Sequence, residues 1–312
     1  MDHGQQPAES KNGSGQMKLR AMAIGLLLGG LVLVACGRET TSPGRSDTRV
    51  PVPSVAQNVA VAGSPTFARM TQRGTVIVGV KNDQPGLGYL NPKTNKYEGF
   101  DIEIARLIAA KLGFDPETKI RYEPIPSAAR EQAIINGQID YYVGTYTITD
   151  ARKKQISFAG PYFVAGQSLL VKADNQTITG PNTLQGKRIC SVTGSTPIRR
   201  VREQNLTDKI VEFQTYSQCV DQLIAGQVDA VTTDDAILKG YAAQDPQQLK
   251  VVGQPFSQEP YGVGLPLADS ALRAKVNDIL EAAAQDGTWK QIYDDTLGSS
   301  GSDATPPAVD RY

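Results

Sequence analysis

A phrase that occurs twice constrains this chain more than any other feature: AIINGQIDYYVG at residues 133–144 and QLIAGQVDAVTT at residues 222–233. Its two glycines, Gly137 and Gly226, lie 226 − 137 = 89 positions apart. That is too long for a solenoid period, so the chain is read as two similar lobes rather than a repeat array. In each copy, apolar residues at helical spacing lead into Gly-Gln, where glycine takes the left-handed geometry that ends a helix, and a β-rich run follows. Both copies predict helix, tight turn, strand. The polar residues beyond differ: Thr145, Tyr146, Thr147 and Arg152 in the first copy, Thr232, Thr233, Asp234 and Asp235 in the second. Ligands of parallel α/β sheets sit at the carboxyl ends of strands. The repeat therefore points to a cleft offered an arginine by one lobe and an aspartate by the other. Read more plainly, Gly-Gln-Ile/Val-Asp is only a helix-to-strand turn.

The first strand is expected at residues 76–80, and the next helix from Gly99-Phe100-Asp101 to about Leu112, with Asp101 placed to cap it. Helices and short apolar strands then alternate, which argues an α/β class. Residues 37–65, rich in Thr, Ser, Pro and Arg, read as a disordered tether. The Gly/Ser/Pro-rich stretch 298–312 is expected to be loose as well. Between them lie roughly 230 residues, enough for one large or two ordinary lobes.

Met17-Lys18-Leu19-Arg20 is a basic leader to an apolar run that closes with Ala35-Cys36-Gly37. Residues 21–35 fall short of the ~20 residues that span a bilayer as a helix. An export signal over residues 1–35 is the reading, with a short hydrophobic anchor helix as its rival. The pattern resembles a bacterial lipoprotein signal. That resemblance implies cleavage before Cys36, acylation of its thiol (palmitate), and a mature chain held on the extracytoplasmic face of the cell membrane. Residues 1–16 are long for such a leader, so Met17 is an alternative start. In an oxidising compartment the two remaining cysteines, Cys190 and Cys219, are expected to form a disulfide within the second lobe, with two buried thiols as the alternative.

Composition removes several functions. The only histidine, His3, lies within residues 1–35, so a mature chain has none, which excludes Ser-His-Asp and Cys-His catalysis and histidine metal sites. Without residues 1–35, which hold Lys11, Lys18, Arg20, Asp2 and Glu9, the 32 basic and 32 acidic residues become 29 and 30. Such a balance carries no electrostatic footprint for nucleic acid, and Arg199, Arg200 and Arg202 read as a solvated helix face.

GFDIEIARLIAAKLG (residues 99–113), NGQIDYYVGTYTITDARKKQISFAGPYF (136–163), VTGSTPIR (192–199) and GQVDAVTTD (226–234) together resemble the polar amino-acid-binding proteins of ABC importers. Within that group the glutamate- and glutamine-binding lipoproteins are the most similar, over about residues 66–297. The resemblance implies a periplasmic-binding-protein fold of type II: lobe 1 from residues 66–163 and 258–297, lobe 2 from residues 168–254, and two crossing strands that let the lobes close on a ligand. Gly166 and Gly253 are the hinge candidates. No cofactor or metal is implied, and a monomer is expected.

The chemistry of an α-amino acid assigns the matched residues. A guanidinium fork binds a carboxylate with two charge-assisted bonds, so Arg152 is the candidate, completed by Thr147, the backbone at Thr145, and Gly194, Ser195 and Thr196 of lobe 2. The rival for Arg152 is a surface arginine beside Lys153 and Lys154. Asp234 would receive the α-ammonium, with Asp235 or a plain helix cap as the alternative. Phe100 would give an apolar wall, or sit in the core. Lys81, where glutamine-binding relatives carry an aspartate, would favour a γ-carboxylate over an amide, with help from Arg199 or Arg200; a solvated turn lysine is the alternative.

The expectation is thus a lipoprotein that captures glutamate first, aspartate or glutamine next, and delivers it to an ABC permease without catalysis. An amino-acid sensor presenting its ligand-bound form to a membrane receptor needs the same pocket. An enzymatic reading, dehydration of a prephenate-like substrate with Glu259 as the acid, is the third.

Overall fold

The computed structural model describes residues 52–298 and 305–312; the signal segment and Cys36 lie outside them. In chain order the first lobe takes α1 (Pro65–Arg73), β1 (Val76–Val80), the hairpin β2 (Tyr89–Asn91) and β3 (Lys96–Glu98), α2 (Phe100–Lys111), β4 (Ile120–Pro124), α3 (Arg130–Ile135), β5 (Tyr141–Tyr142), α4 (Asp150–Lys153) and β6 (Ser157–Ala165). The second takes β7 (Gln167–Lys172), β8 (Arg188–Val192), α5 (Thr196–Glu203), β9 (Lys209–Phe213), α6 (Tyr216–Ile224), β10 (Ala230–Asp234), α7 (Asp235–Gln244) and β11 (Leu249–Val252). The chain returns to the first lobe with β12 (Glu259–Leu265), α8 (Ser270–Gln285) and α9 (Thr288–Thr296).

Each lobe is built on one five-stranded sheet, in the orders β4-β1-β5-β12-β6 and β9-β8-β10-β7-β11. The orders are equivalent. β1 runs parallel to β4 and β5 as β8 does to β9 and β10, while β12 and β7 enter antiparallel from the crossings. All five residues of β1 are buried, as an uninterrupted apolar strand covered on both faces must be.

The doubled phrase supplies the equivalent pairs α3–β5 and α6–β10, with Gly137 at φ 66° and Gly226 at φ 73° in the turns. Its aspartates have matching work. Asp140 accepts the N–H of Ile77 at 2.7 Å and pairs with Arg73, while Asp229 accepts the N–H of Arg188 at 2.7 Å and pairs with that residue's guanidinium. Each carboxylate satisfies a donor at the head of the neighbouring strand and so fixes strand against strand.

The sheets part at Gly166, between β6 and β7, and at residues 253–258, between β11 and β12. The crossings touch: a Cβ at Gly166 would lie 2.6 Å from that of Pro255. Cys190 and Cys219 are joined, tying β8 to α6 inside lobe 2.

Both ends of the described chain depart from the expected loose segments. Val59 and Val61 of the tether pack against the lobe 1 core, and the Ala56 N–H donates to the Ala110 carbonyl at 2.9 Å. Val59 and Val61 turn inward while Ala60 and Ala62 are exposed, so alternate valines give this segment one partly buried face. At the other end, Asp310 donates its N–H to the Gly160 carbonyl at 2.8 Å, and the Tyr312 hydroxyl accepts from the Phe158 N–H at 2.8 Å. The Tyr312 ring lies beneath Lys153 and Arg273, and Arg311 pairs with Asp278 and Glu281. Residues 305–312 thereby cover β6, which ends its sheet. Among the described residues, no helix is long and apolar enough to cross a membrane.

Candidate functional site

The carboxyl ends of β1 and β5 in lobe 1 face those of β8 and β10 in lobe 2. A small cavity of about 10 Å³ lies between them. Ser127, Arg130, Thr145 and Thr147 line it from lobe 1; Ser195, Thr196, Pro197, Tyr216, Asp234 and Ile237 line it from lobe 2.

Thr145 is held in a left-handed conformation, φ 46°, which costs a β-branched residue on the order of 1–2 kcal/mol. Its surroundings impose it. Asp101 accepts the Thr145 N–H at 3.0 Å, Gln84 accepts its hydroxyl at 3.1 Å, and Arg130 donates to its carbonyl at 3.4 Å. Asp101 also accepts from the Tyr162 hydroxyl at 2.8 Å. It is therefore a buttress for the loop after β5 and not the predicted cap of α2, whose first turn has no side-chain cap. Burial pushes the Asp101 carboxyl up to about 6.

Lobe 1 concentrates positive charge around this loop. Arg152, set by the Thr149 hydroxyl at the start of α4, donates to the Thr147 carbonyl at 2.7 Å and across the cleft to the Gly194 carbonyl at 3.1 Å. Its remaining edge meets Glu131 at 3.2 Å. Burial, then the charge of Arg130, lowers the Arg152 guanidinium to about 10. Arg130 donates to the Ser127 carbonyl at 3.2 Å and lies 4.1 Å from the centre of the Tyr146 ring. The Lys81 ammonium donates to the Ser127 hydroxyl at 2.9 Å and the Ile125 carbonyl at 3.3 Å. Burial, then Arg130, brings it down to about 7.

Lobe 2 answers with Asp234. One carboxylate oxygen accepts from the Tyr261 hydroxyl at 2.6 Å. The other is buried and has no hydrogen-bond partner among the described residues. Burial, then the charge of Glu259, pushes the Asp234 carboxyl up to about 7. An acceptor buried without a donor is costly, on the order of 1–3 kcal/mol or more for a charged group, and it faces a cavity. Ser195 accepts the Ile198 N–H at 3.3 Å and so caps α5. Gly194 is at φ 79°, and a Cβ there would come within 2.7 Å of the Ala128 Cα. Only glycine lets this turn meet lobe 1.

Of the residues expected from sequence, Thr145, Thr147, Ser195, Thr196 and Asp234 line the cavity, with Lys81, Arg152 and Gly194 one contact behind it. Phe100 is elsewhere. It is fully buried in lobe 1 among Tyr162, Phe163, Trp289 and Tyr293, because the first apolar residue of α2 faces the core. Asp235, the rival of Asp234, turns to the Gly166 N–H and Lys239. Arg199 pairs with Glu203, and Arg200 pairs with Glu259 and Gln167, so neither reaches the cavity. Arg130, Ser127 and Tyr216 were missed. Arg130 stands beside Glu131 at a helix start, a pattern that reads as solvated; only its place between two strand ends marks it.

Glu259 is fully engaged. It accepts from the Thr196 hydroxyl, the Ser257 hydroxyl and Arg200, each at 2.7 Å. Burial alone would raise its carboxyl, but those bonds and the Arg200 charge bring it below the usual range. Among the described residues, no group of acidic, cysteine or histidine side chains could hold a metal ion.

Residues 76–299 match the bacterial extracellular solute-binding proteins, family 3. The glutamine-binding protein of Geobacillus stearothermophilus is 39% identical over 243 residues, 78% of this chain and 90% of that protein. The glutamate-binding protein GluB of Corynebacterium glutamicum is 38% identical over 247 residues, 76% of this chain and 83% of that protein. Among solved structures, an ancestral arginine-binding protein bound to glutamine superimposes with a TM-score of 0.68 at 37% identity, covering 72% of this chain and 99% of the other. With the matching sheets, the crossings and the cleft, these similarities make the chain a member of the bacterial extracellular solute-binding proteins, family 3.

Proposed function

We propose that this chain captures an α-amino acid between its lobes, glutamate first and aspartate or glutamine next, and delivers it to an ABC permease. One observation carries the reading: Asp234, with an unpartnered carboxylate oxygen, lines the same cavity as Arg130, behind which Arg152 and Lys81 stand one contact away. A zwitterion fits that polarity, its ammonium on Asp234 and its α-carboxylate on the arginine side. The preference for glutamate rests on cation number. One guanidinium suffices for an α-carboxylate, and Lys81 with a second arginine supplies charge for a γ-carboxylate that an amide does not need. The names of the relatives, glutamine-binding and glutamate-binding, agree with the ligand class and leave the choice within it to these residues.

The chain acts as a carrier and not as an enzyme. Glu259, the available acid, is committed as an ionised acceptor, which disfavours proton donation. The signal-like segment and Cys36 support anchorage by lipid on the extracytoplasmic face. A thermal-shift screen of the protein against the common amino acids tests the reading, since a ligand that binds only the folded form raises Tm by mass action. Glutamate is expected to give the largest shift, and a larger shift with a cationic or apolar amino acid would refute the assignment.

A further inference from the structure

Asp83 belongs to lobe 1, in the loop after β1, yet its carboxylate reaches over to lobe 2. It accepts the backbone N–H groups of Tyr216 at 2.8 Å and Ser217 at 3.2 Å, in the first turn of α6. Donors at a helix start have no intrahelical partner and favour an anion, so the carboxylate completes the helix from the opposite lobe. The Tyr241 hydroxyl of α7 adds a bond to the Asp83 carbonyl and a longer one, 3.4 Å, to its carboxylate. Two residues on, Pro85 meets α7 so closely that a Cβ on Gly240 would fall 2.2 Å from the Pro85 carbonyl oxygen. A glycine inside a helix is less favourable than alanine, and the close approach of lobe 1 explains its use here. Cys219 stands in the same turn of α6 and is bonded to Cys190 of β8, which holds the receiving helix end in place. None of Asp83, Gly240 or Tyr241 lines the cavity.

We infer that Asp83, with its receiving surface on α6 and α7, is a latch that holds the two lobes together and scales the affinity for every ligand by one common factor. The inference rests on the proposed capture of an amino acid between the lobes and deepens it. Apparent affinity is the intrinsic affinity multiplied by the fraction of protein in the binding-competent form. A contact made only between lobes in register changes that fraction and leaves ligand preference alone. Residues that touch ligand change the preference itself.

The test compares the wild-type chain with Asp83→Ala, Tyr241→Phe and Gly240→Ala, measuring Kd for glutamate, aspartate and glutamine and the radius of gyration of each protein without ligand. Asp83→Ala should raise every measurable Kd about tenfold or more given the charge-assisted bonds lost, through faster dissociation, with a further loss for glutamate because the Asp83 charge also supports protonated Lys81. Gly240→Ala improves the helix while wedging the lobes apart, so it should weaken all ligands equally with no fall in Tm of the ligand-free protein. The latch is overturned if Kd is unchanged in both variants, or if the ratio of glutamate to glutamine Kd shifts in Gly240→Ala, which keeps the Asp83 charge near Lys81 in place. Should the wild-type chain bind none of the three, the amino-acid reading fails separately. The latch then stands on expansion of both variants in scattering and falls without it.

Discussion

Burial drives Asp234 up to about 7 and Lys81 down to about 7, so at neutral pH each hovers between its charged and neutral forms. Under the proposed assignment, glutamate needs both charges. Protonation of Asp234 weakens binding as pH falls below about 7, and deprotonation of Lys81 weakens it as pH rises above about 7. Titration calorimetry across pH should give a bell-shaped affinity for glutamate. In Lys81→Met the alkaline limb should vanish and glutamate should lose far more affinity than glutamine; equal losses would remove Lys81 from the site.

The same shift has a stability sign. The folded Asp234 carboxyl titrates above its unfolded value, so the folded protein holds more protons between about pH 4 and 7, and ligand-free stability falls as pH rises through that window. Asp234→Asn should therefore raise the ligand-free Tm by several degrees at pH 7.5 while abolishing the shift with glutamate. The positions of Asp234 and Arg152 near the cleft were legible in sequence because each lies at or beyond a strand end in a repeated frame. Arg130 was not, since nothing local separates a buried arginine at a helix start from a solvated one. Phe100 misled for the complementary reason: a core aromatic and a pocket wall look alike until the helix face is known.

Among the elements, α6 carries unusual responsibility. It belongs to the repeated frame, lends Tyr216 to the cavity, receives Asp83 and is bonded through Cys219 to β8. Removing the disulfide by Cys190→Ser with Cys219→Ser should cost roughly 3.6 kcal/mol, the chain-entropy value for its sequence separation of 29 residues. Denaturant melts with and without reductant would check it, and an unchanged midpoint for the wild type under reductant would show the bond contributes nothing. The helix–turn–strand units were readable because periodicity and a left-handed glycine are local signals. The capping role expected of Asp101 was also a local reading, and it failed because a non-local partner, the strained Thr145 backbone, competes for the same carboxylate.

At the scale of the whole molecule, the proposed capture has opposite ends of one ligand met from different lobes, with Arg130 and Arg152 on one and Asp234 on the other. Ligand should accordingly favour the form in which the lobes touch. Small-angle scattering should show compaction on adding glutamate to a ligand-free sample; an identical profile at saturation would contradict closure. The equivalent sheet orders were implicit in an 89-residue spacing, while the contacts between lobes were invisible, since no sequence period records which surfaces meet. Trp289 donates to the Tyr162 carbonyl at 2.7 Å inside lobe 1, so its emission is a poor gauge of this motion.

The carboxy-terminal residues have a practical meaning for anyone who handles this protein. They occupy the free margin of β6 with Asp310 and Tyr312, and an uncovered strand margin is a template for pairing with another chain. An affinity tag fused directly after Tyr312 would strain this cover, and deletion of residues 305–312 would remove it. Deletion is expected to produce concentration-dependent association by light scattering, whereas placing the tag ahead of residue 52 leaves the margin sealed.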